Sequence, residues 1–360
     1  MQTPDLLTAL GYLDSPRFLI ADKPHNWSSL GAAGFAHHFR RLEQQRALRG
    51  IYCLGEPEGG RSLLPLVCVV KVESDDQARL LHQQVWNRDF VPFLLVETPQ
   101  HVRLYSGFEY APAQGTDDTS ERGLLEPVIR WNEIQRKLAG FHTQAIDDGE
   151  IWRTHGAKLD PAQRLDWHLL QSLQKLGQRL QQNGLCHLPT AHALIGKYIY
   201  FHYLKARGLL SKSRFDKWKL RESEVFGRTA TLAGFSRLSE QLAEWPNGGI
   251  FPLNLDGKEA PQPQHVALVA GTFAGDDPET GQYHLDFSAY DFAHIPIETL
   301  SVVYEQFMHD EGTAKQKGAF YTPVPLIDFM VAELQATRPL RDGMRVLDPA
   351  CGSGAFLVQC

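Results

Sequence analysis

The sequence predicts a mixed α/β protein of several domains, and three observations support this. In the first third of the chain, short apolar runs typical of strands alternate with helical segments. The middle is dominated by segments with an apolar residue at every third or fourth position. The last residues combine a strand, a glycine loop and a new helix, which is the outline of a phosphate- or nucleotide-type binding unit.

A length of 360 residues exceeds what one average core accommodates, so we divide the chain into four segments. Residues 1–130 form a small α/β domain, 131–245 a helical domain, 246–290 a connector, and 291–360 the beginning of a further α/β domain.

The pattern also predicts the elements within each segment. In the first we expect strands over 51–54, 64–72, 92–97 and 101–105, and helices over 30–45 and 76–85. In the second we expect helices over 161–182 and 191–207, the latter capped by Gly208. The connector is rich in Gly, Pro and Asp and predicts loops with short strands. In the last segment we expect helices over 295–310 and 322–335 and a strand over 344–347.

Composition excludes several classes of protein. With 43% hydrophobic and 22% charged residues the chain can bury a sizeable core. It has no apolar run of membrane-spanning length and no secretion-signal pattern at its start, so we expect a cytoplasmic protein. The five cysteines are scattered and the histidines lack metal-ligand spacing, which indicates neither a disulfide framework nor a metal site.

The net charge of −6 does not indicate a small basic DNA-binding module, although a local basic surface can still bind phosphate. The densest cluster of cations comprises Lys205, Arg207, Lys212, Arg214, Lys217, Lys219 and Arg221. A phosphate-contacting surface and a solvated helix end are equally compatible with this cluster. The weaker group Arg40, Arg41, Arg46 and Arg49 favours a solvated face.

The most informative residues are the last ones, Arg345 to Leu357 (RVLDPACGSGAFL). An apolar strand ends at Asp348, a tight loop holds Gly352 and Gly354, and an apolar helix begins at once. Glycines allow a ligand to approach the backbone, and the start of the helix presents unpaired N–H groups.

The spacing discriminates among the ligands that such a loop binds. A dinucleotide loop requires a third small residue where Leu357 stands, and a phosphate-binding P-loop requires a Gly-Lys-Ser/Thr sequence that is absent. The carboxylate of Asp348 suits the cationic amino end of S-adenosylmethionine. A structural glycine turn remains the alternative. Upstream, Thr322 is placed to cap a helix whose first residue is Pro323.

Together these two segments resemble a known family. Gly318 to Pro323 (GAFYTP) followed by Asp348 to Phe356 (DPACGSGAF) resembles motifs X and I of N6-adenine-specific DNA methyltransferases, in the order of the γ group. The residues 290–307 and the helix at 191–209 resemble segments of fused type IIG restriction-modification enzymes and related phage-defence enzymes.

The resemblance implies a Rossmann-like, doubly wound parallel sheet that binds S-adenosylmethionine and transfers its methyl group to N6 of a flipped adenine in double-stranded DNA. The implied cofactor-binding residues are Phe320, Tyr321, Thr322, Pro323, Asp348, Pro349, Ala350, Cys351, Gly352, Ser353, Gly354 and Phe356. Tyr321, Thr322 and Pro323 would line the methionine end, and Asp348 would meet the amino group. Gly352, Ser353 and Gly354 would form the loop, and Phe356 would pack near the sulfonium.

Such enzymes hold the target amine with an Asn/Asp-Pro-Pro-Tyr/Phe motif, which does not occur in residues 1–360. We therefore expect an N-terminal portion that is inactive alone, with the catalytic motif beyond Cys360, and we assign no catalytic residue. The alternative is a non-catalytic DNA-binding or scaffold subunit completed by another polypeptide, and a methyltransferase acting on RNA or protein ranks third. Expected partners are double-stranded DNA and other defence-system subunits, with no membrane.

Fused enzymes of this type commonly carry a nuclease at the N-terminus, and residues 64–105 have the strand-helix-strand outline of the PD-(D/E)xK kind. That chemistry needs a carboxylate two residues before a lysine to hold Mg²⁺. Here Lys71 is preceded at that position by Val69, and Glu73 lies on the wrong side. We therefore expect a nuclease-like domain that is inactive and has a structural or DNA-binding role.

Overall fold

The computed structural model describes residues 5–21, 39, 42, 44–55, 63–110, 122–160, 163–185, 187–244, 251–275, 287–309, 322, 324–351, 354, 356, 357 and 360. These residues fall into two compact units. The first comprises residues 1–167, 296–301 and 320–360, and the second comprises 168–295 and 302–319. The mixed α/β class predicted from the sequence is confirmed.

The first unit contains a six-stranded sheet in the order β1 to β6. The strands are β1 (Phe18–Ile20), β2 (Leu48–Leu54), β3 (Leu64–Lys71), β4 (Phe93–Glu97), β5 (Val102–Ser106) and β6 (Leu124–Ile129). Neighbouring strands are antiparallel except β3 and β4, which are parallel. A parallel pair requires a crossover, and helix α2 (Asp75–Trp86) provides it.

Both faces of this sheet are covered, which explains why its strands are continuous apolar runs. Cys68, Val70 and Leu94 face a core that includes Leu81 and Val85 of α2. Val67, Val69 and Phe93 face the opposite core. That second core is closed by short helices: α1 (Leu6–Ala9), α3 (Ile134–Lys137), α4 (Thr143–Asp147) and α5 (Glu150–His155).

The structure confirms the four predicted strands and the helix at 76–85, with shifts of one to three residues at their ends. Strands β1 and β6 were not predicted. Most of the helix predicted at 30–45 lies outside the described residues, although Phe39, Leu42 and Gln44 are helical.

The second unit is helical. Its helices are α6 (Leu165–Gln182), which begins in the first unit, α7 (Leu188–Ala206), α8 (Lys212–Lys217), α9 (Leu232–Glu244) and α10 (Pro263–Phe273). The two long helices predicted at 161–182 and 191–207 are confirmed as α6 and α7. The predicted cap is also confirmed, because Gly208 has φ +73° and donates its N–H to the Lys205 carbonyl at 2.9 Å.

Helix α10 corrects the expectation that the stretch from 246 contains only loops and short strands. Pro263 begins this helix, and its apolar residues Val266, Val269 and Phe273 are buried. It packs mainly against α7. A nearly all-apolar helical core segment has no polar face, and its flanking prolines and glycines made it resemble a loop in the sequence.

The last segment contains helices α11 (Ile297–His309) and α12 (Val324–Thr337), close to their predicted positions. The strand predicted over Met344 to Leu347 is wrong, because these residues join no sheet among the described residues. Val346 and Leu347 are 47% and 86% exposed. An apolar segment becomes a strand only when a neighbour accepts its hydrogen bonds. None of the described helices is long and apolar enough to cross a membrane.

Candidate functional site

The predicted cofactor loop begins with a turn built by Asp348. Its Oδ1 accepts the N–H of Ala350 at 3.0 Å, an arrangement in which an aspartate side chain orders the backbone two residues ahead. Oδ2 has no hydrogen-bond partner among the described residues. Asp348 is half-buried, whereas Pro349, Ala350 and Cys351 are exposed. One carboxylate oxygen is therefore used in the turn, and the other is available to a cationic group.

The turn continues at Gly354, which donates its N–H to the Cys351 carbonyl at 2.7 Å. Gly354 has φ +83°, a left-handed conformation that favours glycine. An added Cβ at this position would meet no atom within 4 Å, so the loop borders open space. Glycine is therefore needed here for its backbone conformation and not to avoid a clash within the described structure.

Phe356 joins the loop to helix α12. Its half-buried ring packs on Ile327 and Val331, which are 1% and 7% exposed and lie one helical turn apart. The helix that follows Thr322 and the loop that follows Asp348 are thus held together by a small apolar cluster. Sequence reasoning assigned Phe356 to the site but missed Ile327 and Val331, whose four-residue spacing was the available signal.

Other predicted site residues are placed less completely. Thr322 lies two residues before Val324, the first residue of α12, so its predicted capping of a helix that begins at Pro323 stays a prediction; it shares no hydrogen bond with Asp348 among the described residues. Phe320, Tyr321, Pro323, Gly352 and Ser353 lie outside the described residues. The structure therefore places the loop after Asp348 against helix α12 through Phe356, and the full set of ligand-facing side chains stays a prediction.

Helix α12 has a second apolar face, which we call the uncovered face. It consists of Leu326, Phe329, Met330 and Leu334, whose exposed fractions are 47%, 51%, 46% and 54%. A helix that is apolar on two faces is normally packed on both. The described residues cover only the face that carries Ile327 and Val331.

A second set of functional candidates lies where the nuclease pattern was tested. Lys71, at the end of β3, pairs with Glu97, at the end of the parallel strand β4, with Nζ to Oε1 3.3 Å. Arg49 of β2 donates to Glu97 Oε2 at 2.8 Å and to Asp5 Oδ1 at 2.9 Å. We call these four residues the sheet-edge charge cluster.

The electrostatics of this cluster favour internal ion pairing. Burial raises the pKa of Asp5, but the hydrogen bond and charge of Arg49 outweigh it and hold that pKa below its ordinary value. The Glu97 side chain is only 7% exposed and contacts two cations. Val69, at the position where a nuclease would need a carboxylate, is fully buried in the core, and Glu73 is exposed.

The comparisons with known proteins concern the last segment of the chain. Residues 296–360 match the family model described as N-6 DNA Methylase. The chain is 36% identical over 73 residues to the "Type I restriction enzyme EcoEI methylase subunit" of Escherichia coli. That alignment covers 20% of this chain and 13% of the relative's length. No solved structure matches significantly. Residues 296–360, which include both α12 and the Asp348 loop, are thus similar to N-6 DNA methylases.

Proposed function

We propose that this protein acts in site-specific DNA methylation, with transfer of a methyl group from S-adenosylmethionine to N6 of adenine in a restriction-modification or phage-defence system. The observation that carries the proposal is the packing of Phe356 on Ile327 and Val331, because it joins the loop that resembles motif I to the helix that follows the segment resembling motif X. The match of residues 296–360 to the N-6 DNA Methylase family supports it. The order of these segments is that of the γ group.

The described residues fit part of S-adenosylmethionine. Asp348 offers a carboxylate oxygen for its ammonium group, and the turn at Gly354 borders open space that a ligand can enter. Phe356 places an aromatic ring beside this turn. The cofactor supplies a methyl group activated by a sulfonium.

The residues of this chain would bind and orient the cofactor. The carboxylate of Asp348 would fix the methionine end through a charge-assisted hydrogen bond. The left-handed backbone at Gly354 would keep side chains away from the ligand. Thr322, which precedes α12, would line the methionine end of the cofactor.

This proposal is tested with the native protein, duplex DNA and S-adenosylmethionine that carries tritium in its methyl group. We expect tritium in the DNA, and nucleoside analysis should locate it on N6-methyladenine. Label confined to 5-methylcytosine or N4-methylcytosine would contradict the assignment to adenine N6. Transfer of the methyl group to RNA or protein and not to DNA would contradict the assignment of DNA as the substrate.

A second function is favoured by the uncovered face of α12 and by the exposed Val346 and Leu347. Apolar surface of this kind is normally packed against further polypeptide. We propose that residues 1–360 act as a DNA-binding or scaffold part whose methyltransferase fold is completed by additional polypeptide. The relative's name describes a subunit, which agrees with assembly into a larger enzyme.

The two functions differ in which polypeptide carries the Asn/Asp-Pro-Pro-Tyr/Phe motif, which does not occur in residues 1–360. The first function predicts this motif in the same open reading frame as residues 1–360, and the second predicts it in a separate polypeptide that co-purifies with the chain. Sequencing the gene past codon 360 distinguishes them. Under both functions residues 1–360 purified alone should transfer no methyl group, and methylation of duplex DNA by them would contradict both.

The sheet-edge charge cluster leads us to propose that the N-terminal domain is a nuclease-like domain without cleavage activity. Magnesium needs hard oxygen ligands with negative charge in excess. Here the carboxylates of Asp5 and Glu97 are neutralised by Arg49 and Lys71. The arrangement therefore suits a structural ion-pair network.

A further inference from the structure

Residues 205–237 of the helical unit carry charge of the opposite sign to the whole chain. They contain nine basic residues and three acidic ones, a net charge of +6, whereas the whole chain has −6. The acidic residues are Asp216, Glu222 and Glu224. Such segregation concentrates positive potential on one part of the surface.

Two of the three carboxylates are already paired within this segment. Glu222 pairs with Lys205, with 2.5 Å between Oε1 and Nζ, and Glu224 pairs with Arg221 at 3.0 Å. Arg207 donates to the Ile295 carbonyl at 3.1 Å. These three cations already have partners inside the helical unit, and the sequence alone could not separate them from the others.

The remaining lysines are arranged differently. Lys212 and Lys217, on α8, and Lys219, in the turn after it, are exposed and pair with no carboxylate among the described residues. Asp216 lies exposed among them and reduces, without cancelling, their charge. We call these three residues the lysine surface.

The backbone at Lys219 provides a second observation. Lys219 has φ +51°, a left-handed conformation that costs about 1 kcal/mol for a residue with a side chain. Its N–H bonds the Asp216 carbonyl at 3.1 Å, and the N–H of Leu220 bonds the Phe215 carbonyl at 3.0 Å. This is a helix end at which glycine is the preferred residue. A lysine here costs the fold some stability and adds a cation to the exposed turn.

We propose that the lysine surface contacts the phosphate backbone of duplex DNA, outside the segment that binds the cofactor. The inference rests on the proposed function, because a DNA methyltransferase needs contacts that hold the duplex. Phosphate contacts position a protein on DNA without reading sequence, and lysines on a fixed turn suit that role. Each contact releases condensed counterions, so binding weakens as salt concentration rises.

The decisive variant is Lys219→Gly, because it removes the charge and relieves the strained backbone together. We expect unchanged or higher thermal stability and weaker binding to a fluorescently labelled duplex. The slope of log K against log salt should fall by about one. With thermal stability retained, a loss of binding in this variant cannot result from unfolding.

The triple variant Lys212→Gln, Lys217→Gln, Lys219→Gly should lower the salt slope by about three and the affinity at low salt at least about tenfold. The matched control is Lys175→Gln, which removes an exposed lysine of α6 in the same unit and should leave the slope unchanged.

Equal slopes for the wild-type protein and the triple variant would overturn the inference. So would unaltered DNA binding together with lost binding to polyglutamate, which would assign the surface to an acidic protein partner. The proposed function is assayed separately by methyl transfer. If methylation fails while the triple variant still changes the DNA salt slope, the function is wrong and the lysine surface stands. If methylation occurs and the slopes coincide, the proposed function stands and the lysine surface is wrong.

Discussion

The ionisation of Asp89 should give the protein a distinctive dependence of stability on pH. Asp89 lies in the turn after α2, and its side chain is 3% exposed. Arg164 bonds its Oδ2 at 2.8 Å, and the N–H of Leu165 donates to the same carboxylate. Burial nevertheless raises the pKa of Asp89 to about 7, because Arg164 offsets only part of the desolvation cost and Asp166 adds negative charge.

The sign and size of the effect follow from this pKa. An unfolded aspartate has a pKa of about 3.9, so between these two values the folded state binds the proton more tightly than the unfolded state. The stabilisation is complete below the unfolded pKa and is lost as pH rises through about 7. At about 1.4 kcal/mol per pH unit, the loss between pH 5 and pH 8 is about 2–3 kcal/mol.

The measurement is urea unfolding, followed by tryptophan fluorescence, of the wild-type protein and Asp89→Asn from pH 5 to pH 8. The neutral amide mimics the protonated acid, so the wild-type protein should lose about 2–3 kcal/mol relative to the variant over this range. Asp76→Asn, which changes a carboxylate that is 93% exposed, is the control: its free energy of unfolding should change with pH as that of the wild type does. Asp166→Asn should move the transition to lower pH. Parallel curves for wild type and Asp89→Asn would refute the reasoning.

Three further predictions concern the first unit. Asp75→Asn should lower the free energy of unfolding by about 2–3 kcal/mol in urea titrations, because Arg103 is fully buried and keeps its charge without its bidentate partner; an unchanged midpoint would contradict this. Gly107→Ala should lower the free energy of unfolding by at least about 3 kcal/mol in the same assay, because the added Cβ would lie 1.8 Å from the Val91 carbonyl oxygen. The control Gly156→Ala should leave the free energy of unfolding nearly unchanged. The protein should leave supercoiled plasmid intact in the presence of Mg²⁺. Magnesium-dependent nicking activity that co-purifies with the protein would refute the proposal that the N-terminal domain does not cleave DNA.

The predictability of the N-terminal sheet depended on how completely each strand is buried. Strands β3 and β4 are buried on both faces, so they are long apolar runs that are recognisable without any partner. Strand β1 has three residues and β6 contains Glu126 and Pro127, so neither carries a clear pattern. Their pairing is decided by neighbouring strands and not by their own sequences.

The candidate site was predictable to the extent that it is local. The sequence predicted a tight glycine loop after Asp348, and the turn at Asp348 and the left-handed Gly354 that build it follow from short-range backbone chemistry. The pairing of Lys71 with Glu97 depends on the parallel register of β3 and β4, and residue spacing cannot reveal it. The prediction of a strand at 344–347 was wrong for a related reason: a strand forms only when a neighbouring strand accepts its hydrogen bonds, and residue spacing does not reveal that neighbour.

Binding of tritiated S-adenosylmethionine to the native protein, measured by equilibrium dialysis, tests the central claim most directly. Loss of a charge-assisted hydrogen bond costs about 1.5–3 kcal/mol, so Asp348→Ala should weaken binding about 10- to 150-fold. Asp342→Ala, which changes an exposed carboxylate shortly before the loop, should bind as the wild type does. Equal affinity of Asp348→Ala and the wild type, or no binding by the wild-type protein, would contradict the assignment of this loop to the cofactor.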